Sequence, residues 1–379
     1  GAMVAGGDSA VAVATAQHVA AIAGYMAPVL AFVVPILLIF ILDGTRGLRD
    51  CWAPTLVVSL SFSLAQWWCS NHFAYELTDV VASLFSLGAI VVFMRFWKPR
   101  GVEAARQRMG LPAQQVAAQS QLTLGRTIMA LVPYLILVVV FSVGKLGIPS
   151  VLSSFDIKIA WPLISGGAIL TAAGTDPGTT FTLGLLSTPG TSILVAGIIT
   201  TLVLMAFSEN GRYRITMGAA IREIGATIYK MRFSALTIIL VLSLAYVMNF
   251  SGQTMSIGQF LAGAGPAFAF ISPVLGWVGT AVTGSDTSSN ALFATLQYSA
   301  AQANPVFNTI SPDVFLSANT MGGVIAKMVS PQSLAIAAVA TRVREADIMK
   351  STLPWSLALL CGLCCLVALE AGPLAFILP

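Results

Sequence analysis

The sequence is short of charge. Its 379 residues carry 19 Lys and Arg against 15 Asp and Glu, so charged side chains make up 9% of the chain. A soluble domain carries about 25% and relies on those charges to stay in water, which excludes an ordinary soluble enzyme. Disorder needs low hydrophobicity and high net charge, whereas 57% of these residues are hydrophobic. The formal net charge of +4 is too small, and the basic residues too dispersed, for a nucleic-acid binder. Histidine is limited to His18 and His72, far apart in sequence. Among the five cysteines, Cys361 and Cys364 have C-x-x-C spacing, but no βαβ pattern surrounds them and no second pair completes a zinc site. They are read, with Cys51, Cys69 and Cys365, as small packing residues. No H-E-x-x-H, Walker A or G-x-S-x-G string occurs. A metal hydrolase or an ATP-driven pump is therefore not expected, and no metal or cofactor site is read.

Long apolar runs are what the sequence has. A bilayer core of about 30 Å takes about 20 apolar residues per helix, and such runs fall near 19–42, 52–68, 80–97, 127–143, 191–207, 234–250 and 354–378. This predicts an all-α polytopic membrane protein. Pro28 and Pro35 lie inside the first run, where neighbouring helices can satisfy freed carbonyls. Basic residues cluster in 95–126 (Arg95, Lys98, Arg100, Arg106, Arg108, Arg126), in 208–232 (Arg212, Arg214, Arg222, Lys230, Arg232) and in 342–350, while 69–79 and 251–257 have none. The positive-inside rule places the first three loops and 43–51 in the cytoplasm and the last two outside. The chain divides into helices over 1–143, an external or re-entrant Gly/Thr-rich segment over 144–190, helices with a basic loop over 191–257, an interrupted region over 258–341 and a last helix over 342–379. The second of these contains Gly166-Gly167 and the turn Thr175-Asp176-Pro177-Gly178.

The interrupted region concentrates the polar groups. Its apolar run over 258–275 is expected to break at Gly276-Trp277-Val278-Gly279-Thr280. The string Thr283-Gly284-Ser285-Asp286-Thr287-Ser288-Ser289-Asn290 follows, and an apolar run then resumes through Leu296. Glycine permits the sharp turns, and Ser285 or Asp286 is a good N-cap. A second break is expected over Ser317-Ala318-Asn319-Thr320-Met321-Gly322-Gly323, and a third at Ser330-Pro331-Gln332-Ser333. Irregular backbone at membrane depth persists only where it is buried in protein or lines a wet cavity. In carriers such breaks aim half-helix N-termini at an anionic substrate. Lys327 lies within an apolar run, where a charge is costly and by default functional; it would pair with a substrate carboxylate or with Asp286, the carboxylate best placed to take up a proton. Plainer readings stand beside these: Asp286 as a cap only, Lys327 snorkelling to the interface, and the Ser/Thr/Gly residues as packing surface. Glu370, near the external end of the last run, is read as interfacial.

At these residues the sequence resembles the lactate permease family. The resemblance rests on Gly276-Trp277-Val278-Gly279, the string 283–293, Ala318-Asn319, Met321-Gly322-Gly323-Val324, Lys327-Met328 and Ser330-Pro331-Gln332-Ser333, with 43–50 similar to the family's loop. It extends from about residue 25 to the end. It implies a secondary active transporter that imports lactate or a related 2-hydroxy monocarboxylate such as glycolate, with a proton, across the inner membrane. The implied fold is an inverted-repeat carrier with a re-entrant hairpin and broken helices, about 9–11 membrane segments in this chain. The hairpin tip of the second repeat would be 283–290, and the unwound helix 318–323 with 330–332. Backbone amides and hydroxyls of Thr283, Gly284, Ser285, Thr287, Ser288, Ser289 and Asn290 would hold the carboxylate. Asn319, Thr320 and Gln332 would bond the 2-hydroxyl, beside Gly322, Gly323 and Ser330, and Asp286 with Lys327 would couple the proton. Family members carry further spans before this point, including a Glu-Gly-x-x-Gly-Phe-Gly-Thr-Pro string not present in 1–379, so the chain is expected to correspond to the C-terminal portion of a permease. The partners expected are the small organic anion, the proton and the bilayer, with no nucleic acid and with homo-oligomerisation open. The alternatives are a non-transporting or channel-like membrane fragment, or a carrier for another small organic anion.

Overall fold

The computed structural model describes residues 9–97, 102–108, 110, 124–144, 148–166, 168–169, 179–207 and 215–379. Of the features above, Lys98, Arg100, Gly167, the turn at 175–178, Arg212 and Arg214 lie outside the described residues. The described residues form thirteen α-helices and one two-stranded ribbon, an all-α polytopic membrane protein. They fall into two compact units, one within 1–98, 166–178 and 235–379, the other within 99–165 and 179–234.

In the first unit, α1 (Ser9–His72) holds the first two expected spans, separated by non-helical backbone at Asp43, Gly44 and Cys51. Gly44, with φ +63°, supplies the left-handed conformation that only glycine adopts cheaply, so segment 43–51 is where the chain reverses. The two arms pack on each other: Ser63 Oγ donates to the Pro28 carbonyl at 2.9 Å, and the Tyr25 and Trp67 rings meet edge to face. After a 3₁₀ turn (Tyr75–Leu77), α2 (Thr78–Phe96) packs against α1, with Ser61 Oγ donating to Ser86 Oγ at 3.1 Å.

The second unit contains α3 (Val102–Arg108), α4 (Leu124–Ser142), α5 (Pro149–Ser153), the strands β1 (Ile157–Ala160) and β2 (Thr180–Leu183), α6 (Pro189–Ala206) and the start of α7 (Met217–Phe250). Helices α4 and α6 realise the spans near 127–143 and 191–207 and pack together. The two strands lie within 144–190, the Gly/Thr-rich segment expected to be external or re-entrant. Antiparallel pairing sets Ile157 opposite Leu183 and Ile159 opposite Phe181. Because side chains alternate along a strand, these four share one face, and Lys158, Ala160, Thr180 and Thr182 share the other.

The second half of α7, realising the span near 234–250, returns the chain to the first unit. There follow α8 (Gln253–Ala262), α9 (Ala267–Thr283), α10 (Asp286–Ala303), α11 (Asp313–Ala326), α12 (Pro331–Thr341) and α13 (Glu345–Glu370). The breaks differ from those expected. Residues 276–280 are helical interior in α9, and 317–323 are helical interior in α11. The real interruptions lie at 263–266, at Gly284-Ser285, at 304–312 and at 327–330. Three of them precede a helix that opens with or just after proline, Pro266, Pro312 and Pro331, and Ser330 is extended (ψ 144°) as a residue before proline prefers. The polar and glycine content of α9 and α11 serves close packing instead. A Cβ on Gly276 would overlap the Asn319 backbone of α11, and one on Gly322 would overlap the Pro273 carbonyl of α9. Small residues let two helix backbones approach in this way.

The core joins α1, α9, α11 and α13 through Ile22, Met26, Phe268, Phe315, Leu363 and Val367. Trp277 Nε1 donates to Ser356 Oγ at 2.9 Å, tying α9 to α13. The last helix also corrects two readings. It runs nine residues ahead of the expected start at 354 and stops at Glu370, before Gly372-Pro373. Glu370 is 1% exposed rather than interfacial, because it continues the buried stripe of Ser356, Leu360, Leu363 and Val367 at helical spacing.

Candidate functional site

The site is assembled by the α9–α10 hairpin and the α11–α12 break. At the hairpin tip Gly284 has φ +72° and closes α9, and Ser285 caps α10, its Oγ accepting from the Ser288 amide at 3.3 Å. Thr283 Oγ1 donates to the Gly279 carbonyl at 2.8 Å, and Ser289 Oγ donates to the Gly276 carbonyl at 3.0 Å, fastening α10 to α9. The tip meets the break: Lys327 Nζ donates to the Gly284 carbonyl, and the Gln332 side chain lies against Gly284 where a Cβ would stand. Ser330 Oγ donates to the Lys327 carbonyl at 3.1 Å and holds the break itself.

Inside this frame runs a chain of amides. Asn290 Nδ2 donates to Asp286 Oδ2 at 3.2 Å, and Asn290 Oδ1 accepts from Asn319 Nδ2 at 2.6 Å and from Thr320 Oγ1 at 3.1 Å. Asn319 Oδ1 accepts in turn from Gln297 Nε2 at 2.6 Å, and Gln297 also bonds the Ser272 hydroxyl and carbonyl. Gln297, Asn319 and Ser272 are all fully buried. Buried polar groups are costly unless bonded, so this network fixes the register of α9, α10 and α11. Asp286 Oδ1, by contrast, is buried without a protein partner.

The predicted site residues thus come together around the tip, though in different ways. The hydroxyls of Thr283, Ser285, Ser289 and Ser330 bond within the protein, as does Asn319 at both ends of its amide. Thr287 is exposed, and Ser288 is buried with its Oγ unpartnered. Gly322 and Gly323 present bare backbone, the latter against Asp286. Only Asn290 and Thr320 of the predicted set reach a cavity of about 370 Å³, a size at the small end of small-molecule sites.

The opposite wall of that cavity was not found by sequence reasoning. It comes from α1, the 3₁₀ turn after it and the start of α2, with Thr15, Gln66, Ser70, Tyr75, Thr78 and Asp79 as its polar groups. Ala16, Ala20, Ala23, Gly24 and Ala27 line it from the first arm of α1. Their spacing places small side chains along one helix face, a signal legible in the sequence. Gln66 Oε1 has no protein partner.

A helical hairpin whose tip meets a broken helix, next to a cavity with polar groups on both walls in an apolar bundle, defines a multi-pass membrane protein built around interrupted helices. The profile of the L-lactate permease family matches residues 1–373, and the chain belongs to that family. It is 34% identical to the glycolate permease GlcA of Escherichia coli (strain K12) over 361 residues, 90% of this chain and 62% of that protein. It is 31% identical to the L-lactate permease of Bacillus subtilis (strain 168) over 400 residues, 96% of this chain and 67% of that protein. The L-lactate permease of Escherichia coli (strain K12) is 31% identical over 369 residues, 94% of this chain and 65% of that protein. The chain therefore spans a little under two thirds of the length of two of these relatives. No solved structure matches.

Proposed function

We propose that this chain forms the greater part of a secondary active transporter that brings lactate, glycolate or a related 2-hydroxy monocarboxylate across the inner membrane with a proton. The observation that carries this reading is the position of Asn290. It lines the cavity, and its amide donates to Asp286, so one side chain lies between the substrate space and a carboxylate able to titrate. In the cavity, Thr320 and Asn290 on one wall and Gln66 and Ser70 on the other offer hydrogen bonds to a small hydroxy acid. Asp79 also lines the cavity. Lys327 holds the hairpin tip closed and keeps a positive charge near Asp286. The permease names of the relatives support the substrate class.

Labelled lactate and glycolate uptake into energised membrane vesicles tests the proposal. Accumulation against the gradient that collapses with a protonophore is the expected result. Flux that only runs downhill identifies a channel, and no flux identifies a non-transporting protein. A second prediction concerns the cavity. Ala20→Phe fills it from the α1 wall, and uptake is expected to fall by about tenfold or more, since sites of this kind discriminate single methylenes by 10-fold or more. Unchanged uptake with normal membrane levels would remove this cavity from the transport path.

A further inference from the structure

Thr280 is fully buried in α9, and its Oγ1 has no protein partner. A helical threonine ordinarily bonds the carbonyl four residues back; here that carbonyl, Gly276, accepts from Ser289 Oγ. Asp286 Oδ1 is the other unpartnered oxygen nearby. Both converge on one bare spot of α11, because a Cβ on Gly323 would overlap Asp286 Oδ1 and crowd Thr280 Oγ1. Around Asp286, α9 contributes Thr280, α10 contributes Asn290 and α11 contributes Gly323. Lys327, just past α11, is the charged group whose field reaches it.

We propose that Thr280 is a positioning residue for proton uptake at Asp286, with Gly323 keeping the space in which the two oxygens meet. A hydroxyl is both donor and acceptor and rotates freely between the roles. It donates to the ionised carboxylate and accepts from the protonated acid, so a single side chain serves both states of the carrier. Lysine in its place, which only donates, would serve only one. The step adds one proton to Asp286 Oδ1 and makes or breaks no other covalent bond. This inference rests on the reading of Asp286 as the coupling carboxylate, and the test separates the two.

The pH dependence of lactate accumulation is measured in vesicles for Thr280→Val, Thr280→Ala, Thr280→Ser and Gly323→Ala, beside protonophore-insensitive lactate exchange. Without the hydroxyl, the ionised carboxylate loses the charge-assisted bond that a turn of Thr280 Oγ1 toward it would form. The half-maximal pH is expected to move upward by about one unit, a tenfold change in proton affinity, in the Val and Ala variants and to return in Thr280→Ser. Gly323→Ala, which fills the shared space, is expected to shift it as well. Exchange, which needs no net proton movement, should be preserved in the three Thr280 variants. An unshifted profile in both Thr280→Val and Thr280→Ala overturns the role of Thr280. If Asp286→Asn also accumulates lactate normally, the reading of Asp286 itself fails.

Discussion

Asp286→Asn is expected to abolish uphill accumulation of lactate while leaving the protein folded and present in the membrane. The substitution keeps an oxygen that accepts from Asn290 Nδ2 and keeps a polar residue in the first turn of α10, so the hairpin tip retains its bonds. What it removes is the titratable group. A pH difference of one unit across the membrane is worth about 1.4 kcal/mol per proton, or about tenfold accumulation. In the variant the inside-to-outside ratio should fall to equality, with exchange of labelled for unlabelled substrate persisting. Accumulation at the wild-type ratio would take Asp286 out of the coupling mechanism. Loss of exchange together with accumulation would make the residue structural.

The second large effect is on folding. Gly276→Val and Gly322→Val each place atoms where the backbone of the facing helix runs, the Asn319 carbonyl in one case and the Pro273 carbonyl in the other. A flexible side chain can move aside; a helix backbone cannot without shifting the whole α9–α11 contact. Overpacking a tight core costs about 1–3 kcal/mol or more, and here the displaced helices also carry the Gln297–Asn319–Asn290 network. Thermal unfolding in detergent is expected to show a large loss of stability, or no folded protein, for both variants. Gly88→Ala in α2 is the control, since no atom lies within 4 Å of its added Cβ. It should be neutral or slightly stabilising, because alanine is favoured over glycine in a helix by about 1 kcal/mol. Equal stability of Gly276→Val and Gly88→Ala would show that α9 and α11 are not held by this approach.

The two predictions draw on different parts of what the sequence reveals. The long spans were legible because an apolar run of the right length leaves the chain few alternatives in a bilayer. The arms of α1, with α2, α4, α6, the end of α7 and α13, all fall where those runs lie. The hairpin tip was legible as well, since Gly284 and Ser285 are residues suited to a left-handed turn followed by a cap. The helix breaks were misplaced for a physical reason. Glycine and small polar residues suit both a broken helix and a tightly packed one, and only the facing helix decides between them. Gly276, Gly279 and Gly322 meet neighbours within the range of a Cβ, so their helices continue. Proline was the more informative mark at 266 and 331, yet Pro28, Pro35, Pro54, Pro133, Pro273 and Pro354 lie inside helices.

The site divides in the same way. Asp286, Asn290, Thr320 and Lys327 stood out locally, as polar groups where apolar residues are expected. Gln66, Ser70, Tyr75, Thr78 and Asp79 did not, because polar residues at the end of a span are ordinary. Their meaning comes from the folding back of α1, which brings residues more than 200 positions from Asn290 to the same cavity. By itself the sequence determined the solvent this protein lives in, where its long apolar runs lie and the turn that carries Asp286. These depend on local composition and backbone chemistry. Tertiary structure alone decided which glycines pack and which turn, which hydroxyls remain free, and which distant wall completes the cavity, because each depends on what the opposing helix presents.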